Sequence, residues 1–310
     1  MLSYILKRFA SSLVVLLAII TITFLLMHAI PGGPFSSEKK ISPAIMKNIE
    51  EHYRLNDPLW QQYVDYMANL ARFDLGPSFK YEGRRVNDII SESFPVSLEL
   101  GMVSISLAIG IGIPAGAVAA LRQNKWPDYV IMFLSTIGVS VPSFVLATLL
   151  IYVFALKLSL LPAAMWGGVE YIVLPALALA SHPTAFIARL TRSSMLEVLA
   201  QDYIKTARAK GLSQIVIMYR HALRNALIPV VTYIGPMAAG ILTGSFIIET
   251  IFAIPGLGRY FVTSIYNRDY TVILGVTVFY SLLVISLNLV VDLIYPQLDP
   301  RIKLNGKEGG

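Results

Sequence analysis

The stretch LELGMVSISLAIGIGIPAGAVAAL, residues 98–121, carries one charged side chain, Glu99. A membrane-spanning helix needs about 20 predominantly apolar residues to cross a hydrocarbon core about 30 Å thick, so this stretch predicts a span. The whole chain has the same character, since 55% of its 310 residues are hydrophobic, 14% are charged and the mean hydropathy is +0.65. Soluble domains are about 45–50% apolar and about 25% charged. The composition therefore predicts an all-α polytopic membrane protein.

Five further stretches satisfy the same length and composition criterion, which predicts six transmembrane helices. The first follows Lys7 and Arg8. Its apolar region is too long for a secretory signal peptide and is followed by no small-residue cleavage site, so we expect a retained anchor helix. The predicted spans are residues 11–30, 98–121, 129–156, 171–188, 226–248 and 272–295.

The basic residues predict the orientation, because cytoplasmic loops carry an excess of Lys and Arg. The connection at 189–225 is the richest, whereas the two short loops of the opposite side hold only Lys157, Arg259 and Arg268. Both termini are therefore expected in the cytoplasm. The predicted division is an anchor helix at 1–30, an extracytoplasmic segment at 31–97, a five-helix core at 98–295 that includes the loop 189–225, and a cytoplasmic tail at 296–310.

The segment 31–97 is too long for a simple connection, and its apolar pattern predicts small helices. Asp57-Pro58 is typical of a helix start, with Asp57 as N-cap and Pro58 at the first helical position. Two interpretations stay open, a fold over the helix ends and a docking site for an external partner. Apolar residues recur at helical spacing at Ile45, Ile49 and Tyr53, at Trp60, Tyr63, Met67 and Leu70, and at Val86, Ile89, Ile90 and Phe94.

The sequence carries no enzyme signature. It has no G-x-x-x-x-G-K-[ST] loop for nucleotide phosphates, no H-E-x-x-H zinc motif and no G-x-S-x-G nucleophile elbow. Cys is absent, and the four histidines are scattered without the spacing of metal ligands. We therefore predict no catalytic residue, no cofactor and no metal site. A conduit, a transporter or an assembly subunit is the simplest remaining role.

Gly and Pro are frequent in the third to fifth predicted spans, which favours that bundle as a pathway with moving parts. The pairs Gly112/Gly116 and Gly240/Gly244 suit close helix packing in lipid. The carboxylates near the spans, Glu99, Glu249 and Asp292, fall near the predicted ends rather than at mid-membrane. That placement disfavours an ion-coupled secondary transporter, which remains a distant alternative, as does a membrane enzyme.

The predicted cytoplasmic loop combines a short basic helix, a glycine and a second basic stretch. Residues 202–213 read DYIKTARAKGLS and residues 219–225 read YRHALRN. Because Gly211 is a natural helix stop, the pattern predicts two short helices with a corner between them, a protruding knob. A basic amphipathic helix lying on anionic lipid is an equally good interpretation of this composition.

The loop resembles the EAA loop of ABC importer permeases through Thr206-Ala207-x3-Gly211, and ARAKGL at 207–212 with RHALRNA at 220–226 is similar to its peptide-permease version. The general family pattern has Glu where Lys205 stands and Pro near Arg224, where this chain has its Pro at 229. The resemblance covers nearly the whole chain. Further similar stretches are YRLNDP at 53–58, DLGPSF at 74–79, PSF at 142–144, TGSFIIE at 243–249, IPGLG at 254–258, NRDY at 267–270 and DPR at 299–301.

This resemblance implies a type I ABC importer permease fold and the first permease subunit of a bacterial oligopeptide importer in the cell membrane. GPSF at 76–79 is closer to the oligopeptide branch than to the dipeptide or nickel branches, whose solutes remain alternatives. The implied partners are a second permease subunit, two cytoplasmic ABC ATPases and an extracytoplasmic peptide-binding protein, with no nucleic acid. The ATPase-coupling residues that the resemblance implies are Asp202, Tyr203, Lys205, Thr206, Ala207, Arg208, Ala209, Lys210, Gly211, Leu212 and Ser213.

The pore-lining candidates are polar or kinked positions in the third and fifth predicted spans. Peptides with varied side chains require a wide and weakly selective cavity. Substrate selectivity is therefore expected mainly in the extracytoplasmic peptide-binding protein. The candidates are Ser140, Pro142, Ser143, Met237 and Ser245.

Overall fold

The computed structural model describes residues 2–30, 33–35, 54–213 and 216–298, and their regular structure is helical apart from one isolated bridge between Pro77 and Arg85. The all-α class is confirmed. The described residues include two π-helical segments. Ile151–Lys157 follows the helix Ser143–Leu150, and Ile217–Leu223 precedes the single helical turn Arg224–Ala226. The helices are α1 (Leu2–Ala29), α2 (Leu59–Ala71), α3 (Val86–Leu121), α4 (Trp126–Ser140), α5 (Ser143–Leu150), α6 (Val169–Leu199), α7 (Asp202–Ala209), α8 (Ile228–Gly244), α9 (Phe246–Ile251), α10 (Leu257–Asn267) and α11 (Tyr270–Leu298).

Five of the predicted spans are found as long apolar helices in the described part of the chain. The second begins at Val86, so the helix predicted from Val86, Ile89, Ile90 and Phe94 is the first part of this span and not a separate small helix. The fourth runs on to Leu199, so residues 189–199 continue a helix rather than lie in a loop. The stretches that can cross a membrane are Arg8–Ala29, Val86–Leu121, Val169–Leu199, Ile228–Ile251 and Tyr270–Val290.

The third predicted span, residues 129–156, is bent rather than continuous. Helix α4 ends at Ser140, the next helix starts at Ser143, and the two lie at 108° to each other. Pro142 accounts for the break, because it has no N–H to donate and disfavours helical backbone at the residue before it. Val141 is accordingly extended, with φ −86° and ψ 123°. The six-span count holds with this pair as one broken span.

Helix α2 confirms the second helix expected in the segment 31–97. It begins at Leu59 with Pro58 as its N-cap, one residue later than Asp57-Pro58 predicts, and no side chain caps it. The helix predicted from Ile45, Ile49 and Tyr53 lies outside the described residues, as does the tail beyond residue 298.

The contacts divide the chain into two compact units. Unit 1 comprises Met1–Val96 and Pro255–Ile285, and unit 2 comprises Ser97–Ile254 and Ser286–Gly310. Both units are discontinuous in sequence, because α3 and α11 each contribute to both. The sequence-based division at residues 30, 97 and 295 follows the expected membrane sides rather than compactness, and it stays a prediction.

Unit 2 is built around α6, whose buried face contains many alanines. A Cβ placed on Gly116 of α3 would lie 2.4 Å from the Ala188 carbonyl oxygen, and one on Gly112 would lie 2.8 Å from the Ile187 side chain. These contacts confirm the close packing predicted for this glycine pair. By contrast, a Cβ on Gly240 meets no atom within 4 Å.

Unit 1 is organised around the carboxyl group of Asp269, which precedes α11 and is fully buried. Its Oδ1 accepts the Val272 N–H at 3.3 Å and the Phe79 N–H at 3.2 Å. Its Oδ2 accepts the Ser78 hydroxyl and the Lys80 N–H at 3.3 Å. Asp269 therefore caps the N-terminus of α11 and holds the loop at 78–80 against it. The stretches DLGPSF and NRDY, far apart in sequence, meet here.

The loop that contains Asp74, in the same unit, is expected to lose stability in acid. The N–H of Gly76, 2.9 Å from Oδ1, and next the guanidinium of Arg85 hold the pKa of this carboxyl below its ordinary value. The pKa of Asp74 is therefore lower in the folded protein than in the unfolded chain, where it is about 3.9. Ionised Asp74 stabilises the loop above that pH, and this stabilisation is lost as the pH falls through the folded-state pKa. Between pH 6 and pH 3 the thermal unfolding midpoint should therefore fall further for the wild type than for Asp74→Asn. Equal falls in the two proteins would contradict this role.

Candidate functional site

The corner of the predicted knob is a helix C-terminus closed by Gly211. This residue has φ +78°, a left-handed conformation that glycine adopts without strain. The Gly211 N–H donates to the Arg208 carbonyl at 3.0 Å, and the Leu212 N–H donates to the Ala207 carbonyl at 3.3 Å. These two bonds form a Schellman motif. The helix stop predicted at Gly211 is confirmed, and α7 ends there at Ala209.

Ser213 starts the second arm of the knob. Its Oγ accepts the Val216 N–H at 3.4 Å and its carbonyl accepts the Ile217 N–H at 3.0 Å, which is the arrangement of a helix N-cap. The arm continues as the π-helix Ile217–Leu223. Such π segments are rare and often lie at functional sites. Nothing in the sequence pattern predicts this one.

The knob has one apolar face and one exposed face. Ile204 and Ala207 of α7 are buried with Ile217 and Ala222 of the second arm, packed by Val198 and Leu199 of α6. The remaining predicted coupling residues, from Asp202 to Ser213, are exposed. Because the two arms share one small core with the end of α6, the knob and α6 are expected to move together.

Polar contacts hold α7 in place against the second arm. Asn225 Nδ2 donates to the Tyr203 hydroxyl at 2.9 Å, which joins α7 to the turn that precedes α8. Lys205, which stands at the Glu position of the family pattern, pairs with Asp202 at 2.8 Å. Both side chains of this pair are well exposed, so the pair contributes little to stability. Asn225 is a functional candidate that the sequence reasoning missed, although it lies within RHALRNA.

The exposed surface of the knob is basic and partly aromatic. Arg208, Lys210 and Arg220 are exposed, together with Tyr203 and Tyr219. Tyr203 and Tyr219 have 43% and 63% of their surface open. Buried apolar contacts on one side and an accessible mixed surface on the other are what a docking element requires.

The structure divides the pore-lining candidates into two groups. Ser140 and Pro142 are exposed and Ser143 is half-buried, and all three lie at the 108° bend. Met237 and Ser245 are buried, with 6% and 3% of their surface open. Ser245 donates its hydroxyl to the buried carboxyl of Glu249 one turn later, which gives it a local structural role. The pore assignment of the five residues stays a prediction.

Comparisons with known proteins identify the family. The profile "Binding-protein-dependent transport system inner membrane component" matches residues 112–304, which include the knob, and a profile for the N-terminal part of such membrane components matches residues 1–101. The chain belongs to this binding-protein-dependent transport family. The predicted resemblance to importer permeases is thereby confirmed at the level of the family.

Relatives in this family match over almost the whole chain. The chain is 54% identical to the dipeptide transport system permease protein DppB of Bacillus subtilis, over 98% of this chain and 99% of that one. It is 47% identical to the oligopeptide transport system permease proteins OppB of Haemophilus influenzae and Salmonella typhimurium, over 98% of this chain and 100% of each of them. The relatives thus include both peptide branches.

Solved structures of importer permeases share the fold of this family member. An inward-facing structure of the MetNI methionine ABC transporter matches with a TM-score of 0.57 at 20% identity, over 68% of this chain and 96% of that one. A crystal structure of an amino acid ABC transporter with histidines matches with a TM-score of 0.54 at 17% identity, over 68% and 94%. The expected ABC importer permease fold is confirmed.

Proposed function

We propose that this chain is a transmembrane subunit of an ATP-driven importer that moves oligopeptides into a bacterial cytoplasm by alternating access. The observation that carries the proposal is the two-armed knob, residues 202–213 and 216–225, packed on the end of α6 in a chain of the binding-protein-dependent family. In this function the chain performs no chemistry. It transmits to the spans the free energy that partner ATPases gain from ATP.

The knob would dock into one cytoplasmic ATPase subunit through its exposed basic and aromatic side chains. ATP shifts the equilibrium between inward-open and outward-open states only if it binds one state better than the other. The knob passes that preference to α6, since α7 follows α6 after Ala200 and Gln201 and shares its core. Both termini lie in the cytoplasm in this arrangement, as the distribution of Lys and Arg predicts.

The remaining partners follow from the same function. A second permease subunit would complete the pathway, two ATPases would drive it, and an extracytoplasmic binding protein would deliver the peptide. The family description, binding-protein-dependent transport, supports the delivery partner. A dipeptide importer is the second candidate, favoured by the 54% identity to a dipeptide permease.

ATP-driven uptake in proteoliposomes tests the proposal. The chain is reconstituted with its candidate permease, ATPase and binding-protein partners, and uptake of labelled tetraalanine is measured with ATP or with the non-hydrolysed analogue AMP-PNP. We expect uptake with ATP but not with AMP-PNP. Unlabelled tetraalanine should compete strongly with this uptake, and dialanine should compete hardly at all.

The other outcomes have distinct meanings. Strong competition by dialanine, with poor uptake of tetraalanine, would identify a dipeptide importer. Uptake that follows an ion gradient without ATP would overturn the ABC function and identify a secondary transporter. Liposomes that contain the chain without the ATPases provide the control, because an ATP-driven importer is inactive in them.

A further inference from the structure

An ion pair joins α6 to the beginning of α4. Arg192 donates from Nε to Asp128 Oδ1 at 2.6 Å and from Nη2 to Oδ2 at 2.8 Å. The Asn124 N–H donates to the same carboxyl at 3.0 Å, and Asp128 has only 1% of its surface open. The planar guanidinium fork matches a carboxylate through two parallel bonds, so the pair holds both helices in one relative orientation.

Packing alone does not require this pair. Helices α4 and α6 already approach closely at Gly138, where a Cβ would lie 2.9 Å from the Ala185 side chain. A buried ion pair is often no more stabilising than an apolar pair of similar volume. What the pair adds is a directional link between the two helices.

The pair lies on the route from the knob to the bent span. Met195 and Leu199 of α6 pack with Ala226 and Leu223 near the second arm of the knob, so a displacement of the knob reaches the end of α6. Arg192 lies about one turn from Met195 along the same helix. From Asp128, α4 leads to Ser140 and to the 108° bend at Pro142.

We propose that Arg192 and Asp128 are positioning residues of the transport cycle, which make α4 and the bend at Pro142 follow α6 when the knob moves. The inference rests on the proposed function. It assigns a role to two residues that lie outside the knob and outside the set of pore candidates. With the link loosened, the ATPases still dock and hydrolyse ATP, but their movement reaches α4 less completely.

The number of peptides imported per ATP hydrolysed measures this role. In the reconstituted complex, Arg192→Lys keeps the positive charge but loses the two-bond fork, and Asp128→Asn keeps the shape but loses the charge. We expect each variant to lower the number of peptides imported per ATP about fivefold or more, which corresponds to the lower range of energetic coupling between two sites. The ATPases should still co-purify with each variant. Arg122→Gln, which removes an exposed cation from the connection between α3 and α4, is the matched control and should keep the wild-type ratio.

A double variant separates positioning from folding. Asp128→Leu combined with Arg192→Met removes both charges and keeps an apolar contact, so it should assemble even if a single variant does not. We expect it to hydrolyse ATP with a lowered ratio. A wild-type ratio in the double variant or in Arg192→Lys would overturn the inference, and so would a failure of all three variants to assemble, since the pair would then serve folding alone. Absence of ATP-driven uptake in the wild type would instead contradict the proposed function.

Discussion

Replacing Gly211 by Pro is expected to abolish both peptide uptake and the co-purification of the ATPase subunits. Gly211 has φ +78°, whereas Pro is restricted to φ near −65°, and Pro lacks the N–H that Gly211 donates to Arg208. A cost of about 3 kcal/mol or more is expected, which lowers the population of the formed corner by a factor of more than about 100. The measurement is ATP-driven uptake together with pull-down of the ATPases from detergent extracts.

Two alanine variants provide the matched comparison for this prediction. Gly211 and Gly83 both have positive φ, +78° and +71°, and a Cβ on either meets no atom within 4 Å. Ala at each position should therefore introduce the same backbone strain, about 1 kcal/mol, without a clash. We expect Gly211→Ala to weaken ATPase binding and Gly83→Ala to leave it unchanged. Wild-type coupling in Gly211→Pro would show that the knob does not dock the ATPases.

The second large effect is expected at Asp269, where Asp269→Ala should destabilise unit 1 by about 3–5 kcal/mol. The substitution removes the acceptor of the Ser78 hydroxyl and of the Phe79, Lys80 and Val272 N–H groups. A buried donor left without a partner loses the free energy of hydration that it had in the unfolded chain. The thermal unfolding midpoint in detergent should fall, and proteolysis within the loop at 78–80 should become faster.

A graded series distinguishes the network from a simple helix cap. Asp269→Asn keeps one acceptor oxygen and should lose about half as much stability. Asp88→Ala is the control, because the exposed side-chain carboxylate of Asp88 accepts the Arg85 N–H at 3.2 Å and lies outside the buried network. Its loss should be about 0.5–1 kcal/mol, typical of a helix cap. If Asp269→Ala were no more destabilising than Asp88→Ala, the buried carboxyl would not organise this unit.

The knob could be predicted in outline from the sequence because its signals are local. A glycine after the amphipathic stretch Asp202–Ala209 predicts a helix stop, and α7 ends at Ala209 as expected. The two arms are close in sequence, so their packing follows from a short connection. The π-helix Ile217–Leu223 and the bond from Asn225 to Tyr203 were not predictable, because they depend on how the second arm settles on the core shared with α6.

The third predicted span marks the limit of hydropathy as a guide. An apolar window predicts a span but contains no information about the angle between its halves. Pro142 makes a kink predictable from the sequence. The angle of 108° at that kink depends on what α5 packs against through its fully buried Ala147. Met237 and Ser245 show the same limit, since a polar or kinked position in a span can face protein as readily as a pore.

Membrane insertion, the helical class and the family of this protein follow from its sequence, because apolar length, turn residues and motifs are properties of consecutive residues. The tertiary structure was needed to bring Asp128 to Arg192, Ser78 to Asp269, and the two arms of the knob to the end of α6. Such contacts join residues that are as much as 191 positions apart. Their formation depends on which helix faces meet, and each helix has several apolar faces on which a neighbour can pack.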